Sequence, residues 1–213
     1  MTLQKPVLPA LRTDVPLQRA LAALEEDETL CGFAFKDEMF AGEWLNKLEC
    51  KGCTFYACRF TEASFENAFF QNCIFENCDF TAARFTEATL QKVQIKNCKL
   101  AGTGFADASL ADTAFTLCVG DGVVLAGAMC RHVAFTQCRM QMAAISDLRP
   151  RSTFAFTECD LRQADFSHTM LKGQDLTTND IDGAAFTGEE LRGAVVTAQQ
   201  ACELARLLGV IIK

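Results

Sequence analysis

The stretch CTFYACRFTEASFENAFFQNCIFENCDFTAARF, residues 53–85, places Phe55, Phe60, Phe65, Phe70, Phe75, Phe80 and Phe85 at every fifth position. Two residues before each stands a small one: Cys53, Cys58, Ala63, Ala68, Cys73, Cys78 and Ala83. A helical stripe repeats as i, i+3, i+4, i+7 and a half-buried strand alternates, so neither accounts for a strict period of five. A square coil does. Each of its four sides is five residues long, one large side chain per side points to the axis, and the small residue fills the space beside it.

The frame extends both ways. It starts near Phe33 and Phe35 and runs through Phe40, Leu45, the phenylalanine run, Leu90, Ile95, Leu100, Phe105, Leu110 and Phe115. Gly120 interrupts it, and GDG at 120–122 reads as a bend in a defective coil. Leu125, Phe135, Met140 and Ile145 resume it, SDLRPRST adds one residue, and the frame returns one position later from Phe156 to Val196. A coil of twenty residues cannot bury its core alone, so coils must stack, which is the pattern of a β-solenoid. Units such as ENCDF and ADFSH, repeated over about residues 31–196, resemble the pentapeptide-repeat family. That resemblance implies an all-β fold, a right-handed quadrilateral β-helix, here of about eight coils.

Stacking by twenty explains the twelve cysteines. Cys58, Cys78, Cys98, Cys118 and Cys138 form one column, joined by Cys159 after the inserted residue, and Cys53 and Cys73 form another. A buried thiol behaves as a small hydrophobe. CKGC at 50–53 has C-x-x-C spacing, but lacks a second pair at zinc-finger spacing and a nearby histidine. The expected metal set is therefore none. The start MTLQKPVLPALRTD has no apolar h-region, which predicts a cytoplasmic protein with free thiols. No run approaches eighteen apolar residues, so no membrane association is expected.

Both ends are expected to cover the stack. Residues 1–30 read as an N-terminal helical cap, with Thr13 or Asp14 as N-cap and Leu17, Leu21 and Leu24 on one face. Residues 197–213 read as a capping helix with an apolar tail. Thr197 and Gln200 have capping-box spacing, and Gly209 stops the helix. Leu204, Leu207, Leu208, Val210, Ile211 and Ile212 either cover their own chain or form a homodimer seam. Quinolone-resistance members of the family dimerise through this end, so the resemblance implies the seam.

Nothing predicts catalysis or a cofactor. His132 and His168 fall at outward positions without a nucleophile, and the glycines make no phosphate-binding pattern. A filled solenoid has no interior pocket, so chemistry would need the one loop candidate, Arg149, Pro150 and Arg151. Eighteen phenylalanines against one tryptophan and one tyrosine are aromatic residues that fill space. A net charge of −7 disfavours direct nucleic-acid binding.

Function is thus expected on the outer sides, as protein binding. Sorting charges by twenty gathers Glu49, Glu66, Glu87, Asp107, Asp147, Glu189 and Glu190 against Lys47 and Arg149. Another side carries Lys51, Lys92, Arg131, Lys172 and Arg192. Glu66, Glu87, Asp107, Asp147 and Glu190 are the candidate partner-binding acids. Regularly spaced carboxylates on a rigid rod can imitate duplex phosphates. The resemblance to quinolone-resistance members implies a type II topoisomerase, DNA gyrase or topoisomerase IV, as partner. The alternative is a structural scaffold for an unrelated protein.

Overall fold

A computed structural model describes residues 2–13, 18, 22, 29–149, 152–207 and 209–211. The chain winds as a parallel solenoid with four sides. Side I is centred on Phe60 and Phe80, side II on Phe65 and Phe85, side III on Phe70 and Leu90, and side IV on Phe75 and Ile95. Residues twenty apart pair in register. One ladder runs Met39, Arg59, Asp79, Lys99, Val119, Arg139, Asp160 and Asp180. Sides III and IV carry short strands, such as Phe69–Gln71 under Thr89–Gln91 and Ile74–Glu76 under Gln94–Lys96.

Backbone groups are satisfied along the axis rather than within a coil. Asp79 N donates to Cys58 O in the coil below at 3.0 Å, and Phe80 N donates to Lys99 O above at 2.8 Å. Each side then turns through a short bond such as Ala83 N to Phe80 O at 2.8 Å.

The core is a ring lattice. Around one coil, neighbouring rings meet edge to face: Phe60–Phe65 at 5.5 Å, Phe65–Phe70 at 5.7 Å, Phe70–Phe75 at 5.5 Å and Phe75–Phe80 at 5.3 Å. Along the axis the same rings stack: Phe55–Phe75 at 4.7 Å, Phe60–Phe80 at 5.0 Å and Phe65–Phe85 at 4.7 Å. Both geometries suit the aromatic quadrupole.

Corners impose the second constraint. Turning ninety degrees after five residues puts the i+2 residue in the left-handed region. Glu62, Asn67, Asn72, Asn77, Ala82, Glu87 and Lys92 all have φ between 55° and 59°. Asparagine tolerates this conformation, whereas other L-residues carry strain of roughly 1–2 kcal/mol.

Two irregularities are accommodated differently. Gly120 keeps its place in the ladder, donating to Arg139 O at 2.7 Å, so GDG is not the expected bend. The missing side chain leaves a small apolar void of about 10 Å³ beside Leu100, Phe105, Val123 and Met140. The insertion is a local bulge between Arg131 and Val133 on one strand and Thr153 and Phe154 on the next. Hydroxyl groups replace carbonyls there: Ser152 Oγ accepts from Cys130 N at 3.2 Å and Thr153 Oγ1 from His132 N at 2.7 Å. Register returns at Phe135 over Phe156.

The two ends differ. Arg12 pairs with Phe33 at the edge of the first coil, but residues 2–11 do not cover it as expected of a cap. They run along the outside of the solenoid, with Val7 N donating to Asn72 Oδ1 and Gln4 N to Asp112 Oδ1. Of the expected N-terminal helix, Gln18 and Ala22 are helical; Asp14, Leu17, Leu21 and Leu24 lie outside the described residues. At the other end, helix Ala198–Leu207 starts in a capping box, with Gln200 N donating to Thr197 Oγ1 at 3.1 Å and Thr197 N to Gln200 Oε1 at 2.9 Å. Gln200 Nε2 also donates to Leu176 O and Asn179 O, which ties the helix to the last coils.

The corner strain gives adjacent alanines opposite expectations. Ala82→Gly should stabilise by about 0.5 kcal/mol, because relief of the left-handed strain exceeds the added unfolded-state entropy. Ala83→Gly, at a fully buried position, should cost about 1–2 kcal/mol in lost methyl burial and backbone entropy. Urea midpoints moving in the same direction for both variants would refute the corner assignment.

Candidate functional site

The interior offers packing and backbone support. At the small i−2 position a donor reaches the carbonyl of the coil below. Cys78 Sγ donates to Phe55 O at 3.4 Å, Cys118 Sγ to Ile95 O at 3.4 Å and Cys138 Sγ to Phe115 O at 3.6 Å. Thr103 Oγ1 does the same to Phe80 O at 2.8 Å, and Asn179 Nδ2 to Phe156 O at 3.1 Å. Cys50 and Cys130 stand instead at centre positions of side III, where burial raises both thiols, that of Cys130 to about 12. Among the described residues no group of three metal-ligating side chains converges.

Side II carries Glu66, Glu87, Asp107 and Asp147 outward, as their spacing requires. Glu87 and Asp107 occupy consecutive rungs, with Glu87 N donating to Ala106 O and Asp107 N to Ala126 O. Cations sit among them. Arg84 Nε lies 3.5 Å from Glu66, Arg149 Nη2 3.3 Å from Asp107 and His168 Nδ1 3.1 Å from Asp147. Glu87 is exposed and has no ion pair among the described residues. Arg149 crosses the Gly127 rung to reach Asp107, and its Nε donates to Gly127 O at 3.0 Å. A Cβ at Gly127 would stand 2.6 Å from Asp107 Oδ1, so the glycine leaves room for this carboxylate. Arg149 continues the side III column above Met129, and its side chain reaches across the corner to side II; Pro150 and Arg151 lie outside the described residues.

Two of the acids grouped by sequence belong elsewhere. Glu49 lies on side III in strand Glu49–Lys51, 3.6 Å from Lys51 Nζ. Glu190 is 2% exposed and presents no charge to a partner. It sits in a 3-10 turn, Glu189–Leu191, after the backbone leaves the repeat at Gly188, φ 114°. In lower coils the i+2 amide donates to a carbonyl above, as Asp147 N does to Ser167 O. His168 N has lost that carbonyl and donates to Glu190 Oε1 at 2.7 Å, and the Thr187 hydroxyl donates to the same oxygen. Burial raises the Glu190 pKa, but the Thr187 hydroxyl and the backbone amides of Glu190, His168 and Gly188 lower it further, to about 2. Sequence grouping missed this because it counted Glu190 with side II, although Glu190 stands directly before Leu191 and not two residues after a centre residue as Glu87 does.

The C-terminal end is only partly covered. Phe186, Leu191 and Val196 of the last coil are half-buried and pack with Leu204. They line an apolar groove with Ala201 and Leu207. Leu207, Val210 and Ile211 are exposed, and Leu208 and Ile212 lie outside the described residues.

Two measurements follow from these positions. Thiol labelling of the native protein should modify Cys31 and Cys202, the two exposed cysteines, and reach the ten buried ones only in denaturant. Labelling of most cysteines in the native state would refute the column. Glu190→Ala should cost roughly 1–2 kcal/mol, since it removes the acceptor of the partly buried His168 amide. The carboxylate's pKa is depressed on folding, so its stabilisation is present above about 4.5 and lost as pH falls toward about 2. Glu190→Gln should remove that part of the acid dependence; an unchanged acid limb in chemical denaturation would contradict the assignment.

Three family profiles match the sequence: pentapeptide repeats (9 copies) over residues 50–94, the pentapeptide repeat region over residues 90–153, and pentapeptide repeats (8 copies) over residues 156–195. No curated protein matches the chain. Among solved structures, a trypsin-treated form of QnrB1, a plasmid-mediated fluoroquinolone resistance protein, aligns with TM-score 0.53 at 18% identity, over 84% of this chain and 100% of that one. HetL, a pentapeptide repeat protein involved in heterocyst differentiation regulation from the cyanobacterium Nostoc, aligns with TM-score 0.36 at 15% identity, over 85% and 97%. At 18% identity the likeness to QnrB1 concerns the fold. With the ring lattice, the in-register ladders and profiles spanning most of the coils, the chain belongs to the pentapeptide-repeat family.

Proposed function

We propose that the chain is a non-enzymatic protein-binding rod, and that side II is its contact surface. The observation that carries this is the in-register placement of Glu87 and Asp107, with Asp147 two rungs further, on a side made rigid by the ring lattice. A flat rigid side loses little conformational freedom when a partner docks.

The partner this reading names first is a type II topoisomerase, DNA gyrase or topoisomerase IV. Its DNA-binding surface is basic, and the acids of side II would stand where duplex phosphates stand. The family relationship, and a fold shared with a fluoroquinolone resistance protein, support this choice. The ion pairs of Glu66, Asp107 and Asp147 weigh toward the alternative, a scaffold for an unrelated protein. Rungs of roughly 4.8 Å already hold fewer charges than a duplex, which carries one per about 1.7 Å. A homodimer joined through Leu204, Leu207 and Val210 would double the length of the side presented, and the half-covered last coil supports that arrangement.

A gyrase supercoiling assay with and without a fluoroquinolone separates the readings. For the topoisomerase reading, reversing Glu87, Asp107 and Asp147 to Lys should abolish the effect, while reversing Lys51, Arg131 and Lys172 to Glu should change little. Arg149→Ala should strengthen binding by unmasking Asp107, and added salt should weaken it. Deleting residues 210–213 should weaken both binding and any self-association. No binding to a topoisomerase at any salt concentration leaves the scaffold reading.

A further inference from the structure

We propose that the corner between sides III and IV is a docking track for an extended, proline-containing peptide, and that residues 2–12 occupy it within the chain. The track is the i+2 column of side III: Gly32, Gly52, Asn72, Lys92 and Asp112. Gln4 N donates to Asp112 Oδ1 at 3.4 Å and Val7 N to Asn72 Oδ1 at 3.3 Å. Ala10 O approaches Gly32, and Arg12 then joins the first coil, donating to Gly32 O at 2.7 Å and accepting from Ala34 N at 2.9 Å.

Contacts made by Gln4, Val7 and Ala10 are three residues apart in the strap and two rungs apart on the column. A polyproline-type segment rises about 3.1 Å per residue, or about 9.3 Å over three. Two rungs rise about 9.6 Å. The two periods therefore match, and Pro6 and Pro9 favour that extended form.

Glycine at the start of the track has a steric purpose. The corner conformation itself accepts Asn72, Lys92, Asp112 and His132 in the same column. Gly32 and Gly52 instead leave a notch. A Cβ at Gly52 would stand 2.4 Å from Pro9 Cδ, and one at Gly32 3.1 Å from Pro9 Cγ. By contrast, a Cβ at the corner glycines Gly42, Gly102 and Gly122 would meet nothing within 4 Å. Pro9 seats in the notch, and the Asn72 and Asp112 side chains accept the amides beyond it.

Hydrogen exchange on the full-length chain, with a labelled synthetic peptide of residues 2–12 as the trans probe, tests the track. In the native chain the Gln4 and Val7 amides should exchange at least about tenfold more slowly than in the free peptide, and the peptide should not bind, because the tethered strap competes at high effective concentration. Pro9→Gly should release the strap and let the peptide bind in trans. Gly52→Asn, which keeps a residue suited to the corner conformation but fills the notch, should release the strap and refuse the peptide. Unprotected amides in the native chain would overturn the docking. Protection unchanged in Pro9→Gly, or a strap released in Pro9→Gly with no peptide bound in trans, would overturn the track; binding to Gly52→Asn as tight as to Pro9→Gly would overturn the notch.

Discussion

Everything in this molecule depends on the packing of one large side chain per five-residue side. Four rings in a coil meet edge to face, and on sides I, II and IV they stack on the ring of a neighbouring coil. Ring stacking near 5 Å matches the spacing of hydrogen-bonded parallel strands. Side-chain packing and backbone pairing therefore ask for the same axial step, and neither is strained to serve the other. The corners bear the conflict instead, in the left-handed conformations of residues such as Ala57, Ala82 and Leu117.

That division explains what the sequence makes legible. A period of five identifies the centre residues, the inward small residues and the insertion, because burial tolerates little variation there. Outward residues follow no such rule. Glu87 and Glu190 were both acids near the same predicted side, yet one faces solvent and the other is buried under the end of the ladder. The departure of the backbone at Gly188 is what turns Glu190 inward, and a single glycine carries little signal. The strap is hidden for a related reason. Its contacts join residues 4 and 112, and no local pattern connects them.

The outer surface is correspondingly a matter of neighbours rather than of totals. Summed by column, side II is acidic. Arranged in space, Arg84, Arg149 and His168 stand beside its carboxylates, each brought from another rung. Exposed pairs of this kind contribute little to stability. Their larger effect is to set how much uncompensated charge a partner meets, and Glu87 is the point where most of it remains.

The extra residue near Ser152 behaves as a dislocation behaves in a crystal. The fault is confined to one corner of one layer, and the lattice on either side keeps its planes: Arg139 lies over Asp160, and Asp160 over Asp180. Two hydroxyl groups close the mismatch. A solenoid that heals a fault within a single layer is not bound to a fixed chain length per turn. New segments can enter at such a seam, lengthen there and acquire a role of their own, while the layers above and below continue to grow in phase.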